Sequence, residues 1–315
     1  VTTLADADPA AAEADRSGEV VGSYRLLRKL GRGGMATVYL AERADGLWEQ
    51  RVALKLIRRG LDTEDVVRRF LAERQILSSL SHPDIASLLD GGTTDEGLPY
   101  LVMEHVEGTP LTEHCDEHGL GVEERLRLFA AVCRAVEHAH RSLVVHRDLK
   151  PSNILVTEAG SGRPRVKLLD FGIAKILDPA AEGPRTRTGL RPLTPEYASP
   201  EQVDGEAITT ASDVYQLGIL LCELLSGRRP YEVEGTPSPA RLRARPEEAE
   251  PAPPSVLVTP AAARRRGLPA EKLARRLRGD LDTLVLHALP VEPHRRYPSA
   301  AALADDVERH LAGLP

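Results

Sequence analysis

From Tyr24 to Glu104 apolar and polar positions alternate in short runs: Tyr24 to Leu30, Ala36 to Glu42, Arg51 to Ile57, Ile85 to Leu89 and Tyr100 to Glu104, each bounded by Gly, Asp or Pro. Short alternating runs between such breakers predict strands. One segment departs from the pattern. Between about Asp62 and Leu80 the apolar Val66, Phe70, Leu77 and Leu80 recur at helical spacing, and His82-Pro83 closes the run, which predicts a single helix among the strands. From Leu111 onward the period becomes helical. Leu126, Phe129, Cys133 and Val136 form one stripe of a helix over Val122 to His140, and further helices are predicted over Ala211 to Leu225, Leu281 to Leu289 and Ser299 to Leu311. Without any internal repeat, this is a small strand-rich part followed by a larger helical one, an α+β chain. The stretch from Pro230 to Pro269 is dense in Pro, Arg and Glu and is expected to be a partly irregular surface excursion.

Composition narrows the partners. The chain has 315 residues, 42% of them hydrophobic, enough for a sizeable core. Its 41 basic residues are mixed among 47 acidic ones for a net charge of -6, so no basic stripe is available to neutralise a phosphodiester backbone, which argues against nucleic acid as a primary partner. Cys115, Cys133 and Cys222 form no CxxC pair and no disulfide framework. They are expected to be buried helical thiols in a reducing, cytoplasmic compartment. The first twenty residues are acidic and alanine-rich, with no basic start and no apolar core of a signal peptide, and are expected to form a flexible leader. The longest apolar run, Leu217 to Leu225, contains Glu223 and is far shorter than the roughly 20 residues a bilayer needs, so no membrane segment is expected in this chain. A longer product carrying a membrane tether is compatible with a chain that opens on Val1 and stops after an amphipathic helix.

The chemistry is concentrated in a few short stretches. Val144-Val145 and Ile154-Leu155-Val156 read as two short buried strands flanking His146, Arg147, Asp148, Lys150 and Asn153, a polar segment that is being held in place rather than scattered into water. Near the start, Gly31-Arg32-Gly33-Gly34-Met35-Ala36-Thr37-Val38 lies between two strands, and its glycines would let the backbone approach a phosphate closely; a plain hairpin turn is the competing explanation. Lys55 stands among apolar residues in Val52-Ala53-Leu54-Lys55, where its ammonium needs an anion. Glu73, on the helix face that carries Phe70 and Leu77, is a natural partner. Asp170-Phe171-Gly172 follows the strand Val166 to Leu169.

In this order, and on these strands and loops, the elements resemble a protein kinase catalytic domain, more narrowly the bacterial eukaryotic-like (Hanks-type) serine/threonine kinases, from about Tyr24 to about Leu311. The resemblance implies a bilobal kinase fold: a flexible leader over 1–22, a small antiparallel-sheet N-lobe with one helix over 23–104, and a hinge and mainly helical C-lobe over 105–315, with an activation segment over 170–201. It implies ATP and Mg2+, or Mn2+ in its place, as cofactors. The glycine loop would cover the phosphates, Lys55 would hold two of them and Glu73 would orient Lys55. Asn153 and Asp170 would ligate the metal, Asp148 would take or orient the substrate proton, and Lys150 would neutralise the transferred phosphoryl group. Val38, Ala53 and Leu155 would enclose the adenine, Glu104 and Val106 would hydrogen-bond its edge from their backbone, and Met103 would lie behind it.

The same resemblance implies protein substrates. Lys150 and Thr194 point to serine or threonine as acceptor, while Ser152 stands where basic-directed relatives often have Glu, which withdraws support for a basic recognition motif. Thr194 to Glu201 matches a peptide-positioning loop, with Glu201 paired to Arg296 and Asp213 bracing the catalytic loop. Thr186 or Thr188 is expected to be phosphorylated and to pair with Arg147 and Lys175, two copies of the chain meeting transiently for the transfer. Ala36 replaces the loop's third glycine and Ser199 the usual Ala before Pro200-Glu201. A pseudokinase scaffold would have lost Lys55, Asp148, Asn153 or Asp170, and all four are present. Phosphorylation of a small metabolite would not need the segment from Thr194 to Glu201.

Overall fold

The computed structural model describes residues 15–33, 36–46, 50–57, 80–158, 164–171, 196–231 and 250–314. The chain divides into two compact units, the first holding the strands up to Ile57 together with Leu89–His105 and the second the rest of the described chain.

The first unit is a six-stranded sheet in the order β1-β2-β3-β4-β6-β5, built from β1 (Val20–Val21), β2 (Tyr24–Arg32), β3 (Ala36–Arg43), β4 (Arg51–Ile57), β5 (Leu88–Thr93) and β6 (Pro99–Glu104). Strands β1 to β4 pair antiparallel in succession and β4 pairs antiparallel with β6. Because side chains alternate across a strand, the register sorts them into two faces. Tyr39, Ala41, Val52, Leu54, Leu56, Tyr100 and Val102 belong to the unit's buried cluster. Val38 faces Lys55, which faces Leu101, and Leu40 faces Ala53, which faces Met103, so these residues share the opposite face.

Two expectations shift here. Val20–Val21 pairs with Tyr24 and Arg25, and Val21 is buried, so the chain joins the sheet before residue 22, where the leader was expected to end. The strand expected over Ile85 to Leu89 is displaced to Leu88–Thr93. Ile85 instead makes an isolated parallel bridge to Leu168, with the Ala86 N–H donating to the Leu168 carbonyl (2.9 Å) and the Leu168 N–H to the Asp84 carbonyl (2.8 Å), and is buried against that strand.

The second unit carries a three-stranded antiparallel sheet, β7 (Thr109–Pro110), β8 (Ile154–Glu158) and β9 (Pro164–Leu168). Its helices are α1 (Leu111–Glu117), α2 (Val122–Arg141), α3 (Pro200–Asp204), α4 (Thr210–Ser226), α5 (Pro254–Leu257), α6 (Pro260–Arg265), α7 (Ala270–Leu277), α8 (Asp280–Ala288) and α9 (Ala300–Leu311). The stripe Leu126, Phe129, Cys133 and Val136 of α2 is buried as its spacing requires, and Cys115, Cys133 and Cys222 are buried free thiols on helices. Helix α4 is apolar nearly all round and is buried along almost its whole length.

Of the segment over 230–269, residues 232–249 lie outside the described residues, and the part from 250 on is mostly exposed or half-buried but partly helical. Prolines open both α5 and α6, where a missing N–H costs nothing, and Pro254, Ser255, Ala262, Ala263 and Arg266 are buried. Arg266 closes the C-terminus of α4, donating to the Leu224 carbonyl from Nε (3.1 Å) and Nη2 (2.8 Å) and to the Glu223 carbonyl (3.1 Å), the end of a helix that favours a cation. A cavity of about 520 Å³ lies beside this cap, walled by Thr112, Asp116, Arg125, Glu223 and Arg265, and none of the predicted site residues lines it.

Helix α2 ends differently from its neighbours. Four helices close with the same pair of bonds, and at α1, α6 and α9 the residue at the left-handed position is Gly119, Gly267 or Gly313. At α2 the Val144 N–H reaches Ala139 O (2.9 Å) and the Leu143 N–H reaches His140 O (2.9 Å), and the left-handed residue is Leu143 at φ 60, 92% exposed. A Cβ there costs roughly 1–2 kcal/mol and the exposed side chain returns no packing. Leu143→Gly is therefore expected to stabilise the chain by about 0.5–1 kcal/mol once the added freedom of the unfolded glycine is subtracted, measurable as a higher midpoint in denaturant.

Candidate active site

The exit of α2 places the polar segment. Val144-Val145 is not a strand: Val144 is tied back to Ala139 by the helix-closing bond, and only Ile154–Glu158 is extended. The chain then runs over Asp213 of α4. The carboxylate of this fully buried residue accepts the His146 N–H (2.7 Å) and the Arg147 N–H (2.8 Å), and lies 2.7 Å from His140 Nε2. Arg147 is held at φ 67, a left-handed conformation that a non-glycine residue keeps only when its surroundings impose it. They do so here: the Gln202 and Gln216 side-chain amides donate to its carbonyl at 2.8 Å and 3.2 Å.

His146 has a fixed tautomer. Its Nδ1 accepts from the Asp148 N–H (3.3 Å), so Nε2 carries the proton and donates to the Leu169 carbonyl (2.8 Å). One imidazole thus fixes the backbone at Asp148 and the backbone just before Asp170, and its ring lies 4.7 Å from that of Phe171. Burial lowers the pKa of His146, and also of His82 and His114, below the ordinary 6.5. With each pKa lowered in the fold, the unfolded chain binds more protons as pH falls through about 6.5, and stability drops in that direction. Thermal unfolding is expected at lower temperature at about pH 5.5 than at about pH 7.5.

Asp148, Lys150 and Asn153 form one bonded group. Lys150 Nζ lies 3.0 Å from Asp148 Oδ2, and Asn153 Nδ2 donates to the same oxygen (3.1 Å) and to the Asp148 carbonyl (2.8 Å). Asn153 ends a short 3₁₀ turn, Pro151–Asn153, that leads into β8. The Leu169 N–H donates to the Asn153 carbonyl (2.8 Å), extending the β8–β9 pairing and placing Asp170, at φ 49, one residue beyond the partner of Asn153. With both amide hydrogens of Asn153 given to Asp148, Oδ1 is its remaining polar atom and accepts no hydrogen bond among the described residues.

Below this loop, Glu201 and Arg296 form a two-point ion pair (2.8 and 2.9 Å), both buried. Ser212 donates to Glu201 (2.6 Å), and Arg296 also donates to the carbonyls of Pro290, Val291 and Ala211 at 2.8 Å each and lies over the Tyr215 ring. Burial pushes the Glu201 carboxyl up, but the Arg296 and Ser212 bonds outweigh it and leave the pKa below the usual value. The Tyr197 hydroxyl donates to Glu223, and its pKa is raised by burial and then by that carboxylate.

In the first unit, Lys55 is 8% exposed on the sheet face that also carries Val38, Ala53 and Met103, all partly exposed. A Cβ built on Gly31 would meet nothing within 4 Å, and on Gly33 only the Ala36 carbonyl at 3.7 Å; neither residue has a positive φ. The hairpin itself therefore does not require glycine at these positions. Room left on the backbone suits a ligand that comes close to it.

A family model for the protein kinase domain matches residues 24–305, most of the chain. The chain belongs to the protein kinase family. It is 37% identical over 292 residues to the serine/threonine-protein kinase Pkn1 of Myxococcus xanthus and 36% identical over 291 residues to PrkC of Bacillus subtilis, covering 92% of this chain in both cases but only 38% and 40% of those proteins. PknB of Mycobacterium tuberculosis is 35% identical, covering 93% of this chain and 43% of its own length. The chain thus spans about two fifths of the length of these relatives. Among solved structures, the Mycobacterium tuberculosis PknI kinase domain aligns with a TM-score of 0.67 at 27% identity, covering 95% of this chain and 99% of that one. The bilobal α+β kinase fold, with its curled antiparallel N-terminal sheet and helical C-terminal part, is therefore established.

Membership of the family implies ATP and a divalent metal. Of the predicted kinase residues, the structure brings together His146, Arg147, Asp148, Lys150, Asn153, Asp170, Phe171 and Asp213, and separately Glu201 with Arg296. Leu155 lies next to this group on β8, and Glu104 ends β6 with Val106 just beyond it. Gly34, Met35, Glu73, Gly172, Lys175, Thr186, Thr188 and Thr194 lie outside the described residues. His140, Gln202, Ser212 and Gln216 were not anticipated. The only hint in the sequence is that Asp213 and Gln216 are three apart on one helix and so share a face.

Proposed function

We propose that this chain is the catalytic domain of a bacterial serine/threonine protein kinase that transfers the γ-phosphate of ATP to serine or threonine hydroxyls of proteins. The observation that carries this reading is the bonded group of Asp148, Lys150 and Asn153, tied through the Leu169 amide to the backbone leading into Asp170. The relatives' names support serine and threonine as acceptors. The acceptor oxygen attacks the γ-phosphorus, the bond to the β-phosphate oxygen breaks with ADP as leaving group, and the hydroxyl proton passes to Asp148. Lys150, beside that carboxylate, balances charge on the phosphoryl oxygens, and Lys55 holds the α and β phosphates. Val38, Ala53, Met103 and Leu155 contact the adenine, and backbone groups at Glu104 and Val106 bond its edge.

The residues fit a hard cation: Asn153 presents Oδ1, and Asp170 is a carboxylate close by in the chain pairing. Both groups offer oxygen donors, which suits an ion that keeps water and takes phosphate oxygens. Magnesium, for which manganese can substitute, would supply charge neutralisation between the β and γ phosphates when bound.

Retention of Lys55, Asp148, Asn153 and Asp170 favours an active enzyme over a scaffold, and the buried Glu201–Arg296 bracket under a peptide platform favours a protein over a metabolite as acceptor. Phosphate on Thr186 or Thr188, placed by transfer between two transiently paired copies, would add nearly two negative charges for Arg147 and Lys175 to hold. The three buried free thiols suit a cytoplasmic domain. No described helix is long and apolar enough to cross a membrane. Incubating the purified chain with ATP and magnesium and mapping phosphate by mass spectrometry tests the reading: phosphate on serine or threonine is expected, with activity falling sharply when Thr186 and Thr188 are both alanine, and absence of any transfer would overturn it.

A further inference from the structure

The backbone of Asp148 itself is held at its N–H by His146 Nδ1 (3.3 Å) and at its carbonyl by Asn153 Nδ2 (2.8 Å), and the groups that flank it need holders of their own. Its neighbour Arg147 sits in the left-handed region, and the bonds that Asp213 makes reach only the N–H groups of His146 and Arg147, so the Arg147 carbonyl is held by other groups. The groups on either side of Asp148 are held by two glutamines. The Gln216 amide spans the residue, donating from Nε2 to the Arg147 carbonyl (3.2 Å) and accepting the Leu149 N–H on Oε1 (2.8 Å). Gln202 donates to the same carbonyl (2.8 Å), and its Oε1 accepts from Gln216 Nε2 (2.9 Å) and from the Ser199 N–H (3.0 Å). Both side chains are almost completely buried, so water cannot stand in for an amide that is removed.

We infer that Gln202 and Gln216 act together as positioning residues for Asp148, fixing the peptide planes on both sides of it and so the direction of its carboxylate. Gln216 anchors the loop to the buried helix α4, and Gln202 anchors it to the Ser199–Gln202 turn that opens α3. Movement of that turn is therefore felt at the Arg147 carbonyl, which makes the pair a mechanical link between the segment that follows the activation loop and the catalytic aspartate. The inference rests on the kinase reading of the site.

The test uses the full chain with Gln216→Met, Gln202→Met and the double variant, methionine keeping the length of glutamine without its polar atoms. Single-turnover phosphoryl transfer to a peptide at saturating ATP and magnesium is measured beside MgATP affinity and thermal unfolding, at a temperature where each variant is folded. A misplacement of about 1 Å costs up to roughly 100-fold, so Gln216→Met is expected to slow transfer by about 10- to 100-fold with MgATP affinity unchanged. Because both amides serve one carbonyl, the double variant is expected to lose less than the product of the single losses. Folded variants that transfer at the wild-type rate, or that lose MgATP affinity in proportion to transfer, would overturn the inference; should Gln216→Met not fold, Gln202→Met decides by the same criteria. An inactive wild-type chain would instead refute the kinase reading, so the two failures are distinct.

Discussion

Asp148→Asn is expected to slow phosphoryl transfer by about 10²- to 10⁴-fold, the contribution of a positioned general base, while leaving the fold and MgATP affinity in place. The loop's backbone is anchored by Asp213, Gln202 and Gln216, none of which contacts the Asp148 side chain in those bonds, so the loop keeps its path. Asparagine retains an acceptor for Asn153 but loses the charge that draws Lys150 to within 3.0 Å and cannot take a proton at neutral pH. Single-turnover kinetics and nucleotide titration, run on both proteins, separate the two effects. A variant with the wild-type transfer rate would remove Asp148 from the chemistry.

The largest effect on stability is expected at Glu201–Arg296. The carboxylate removed in Glu201→Ala would leave a buried guanidinium with carbonyls and the Tyr215 ring as partners but no anion, and breaking such a pair costs about 3–5 kcal/mol. Against a typical domain stability of about 5–15 kcal/mol this is a large fraction, and the melting temperature is expected to fall by roughly 10 °C or more. Replacing both residues by methionine should recover part of the loss and not all of it, because the Pro290, Val291 and Ala211 carbonyls would remain without their donor. Since the Glu201 pKa lies below its ordinary 4.5, the pair's contribution is complete above that value and is lost as pH falls through the folded-state pKa. A single and a double variant melting alike at neutral pH would mean that the pair is not what holds this region.

What the sequence revealed and what it concealed divide along a physical line. Helix α2 was legible because its buried stripe is written at helical spacing, and β4 because its run is bounded by breakers on both sides. Lys55, Asp148, Asn153 and Asp170 stand out as candidates because each sits in a short local pattern. Val144-Val145 was misread since an apolar pair is buried equally well at a helix exit, and the glycine that would have marked the exit is replaced by Leu143. Ile85 was misassigned because its partner, Leu168, is remote in the chain. The Pro- and Arg-rich composition near 250–269 concealed helices that use proline as a start and Arg266 as another helix's cap. Gln202 left no signal, and Gln216 only its place three residues from Asp213 on one helix, because a hydrogen bond between residues from different elements has no spacing.

The central claim is that this chain binds MgATP through the residues proposed for it, the glycine loop and Lys55 as well as Asp148, Asn153 and Asp170. Amide hydrogen exchange of the full chain with and without MgATP tests it directly. Slower exchange is predicted together over residues 31–38 and 53–57 and over 146–156 and 168–171, with saturation at the same nucleotide concentration. Protection confined to one unit, or no protection at saturating MgATP, would contradict it.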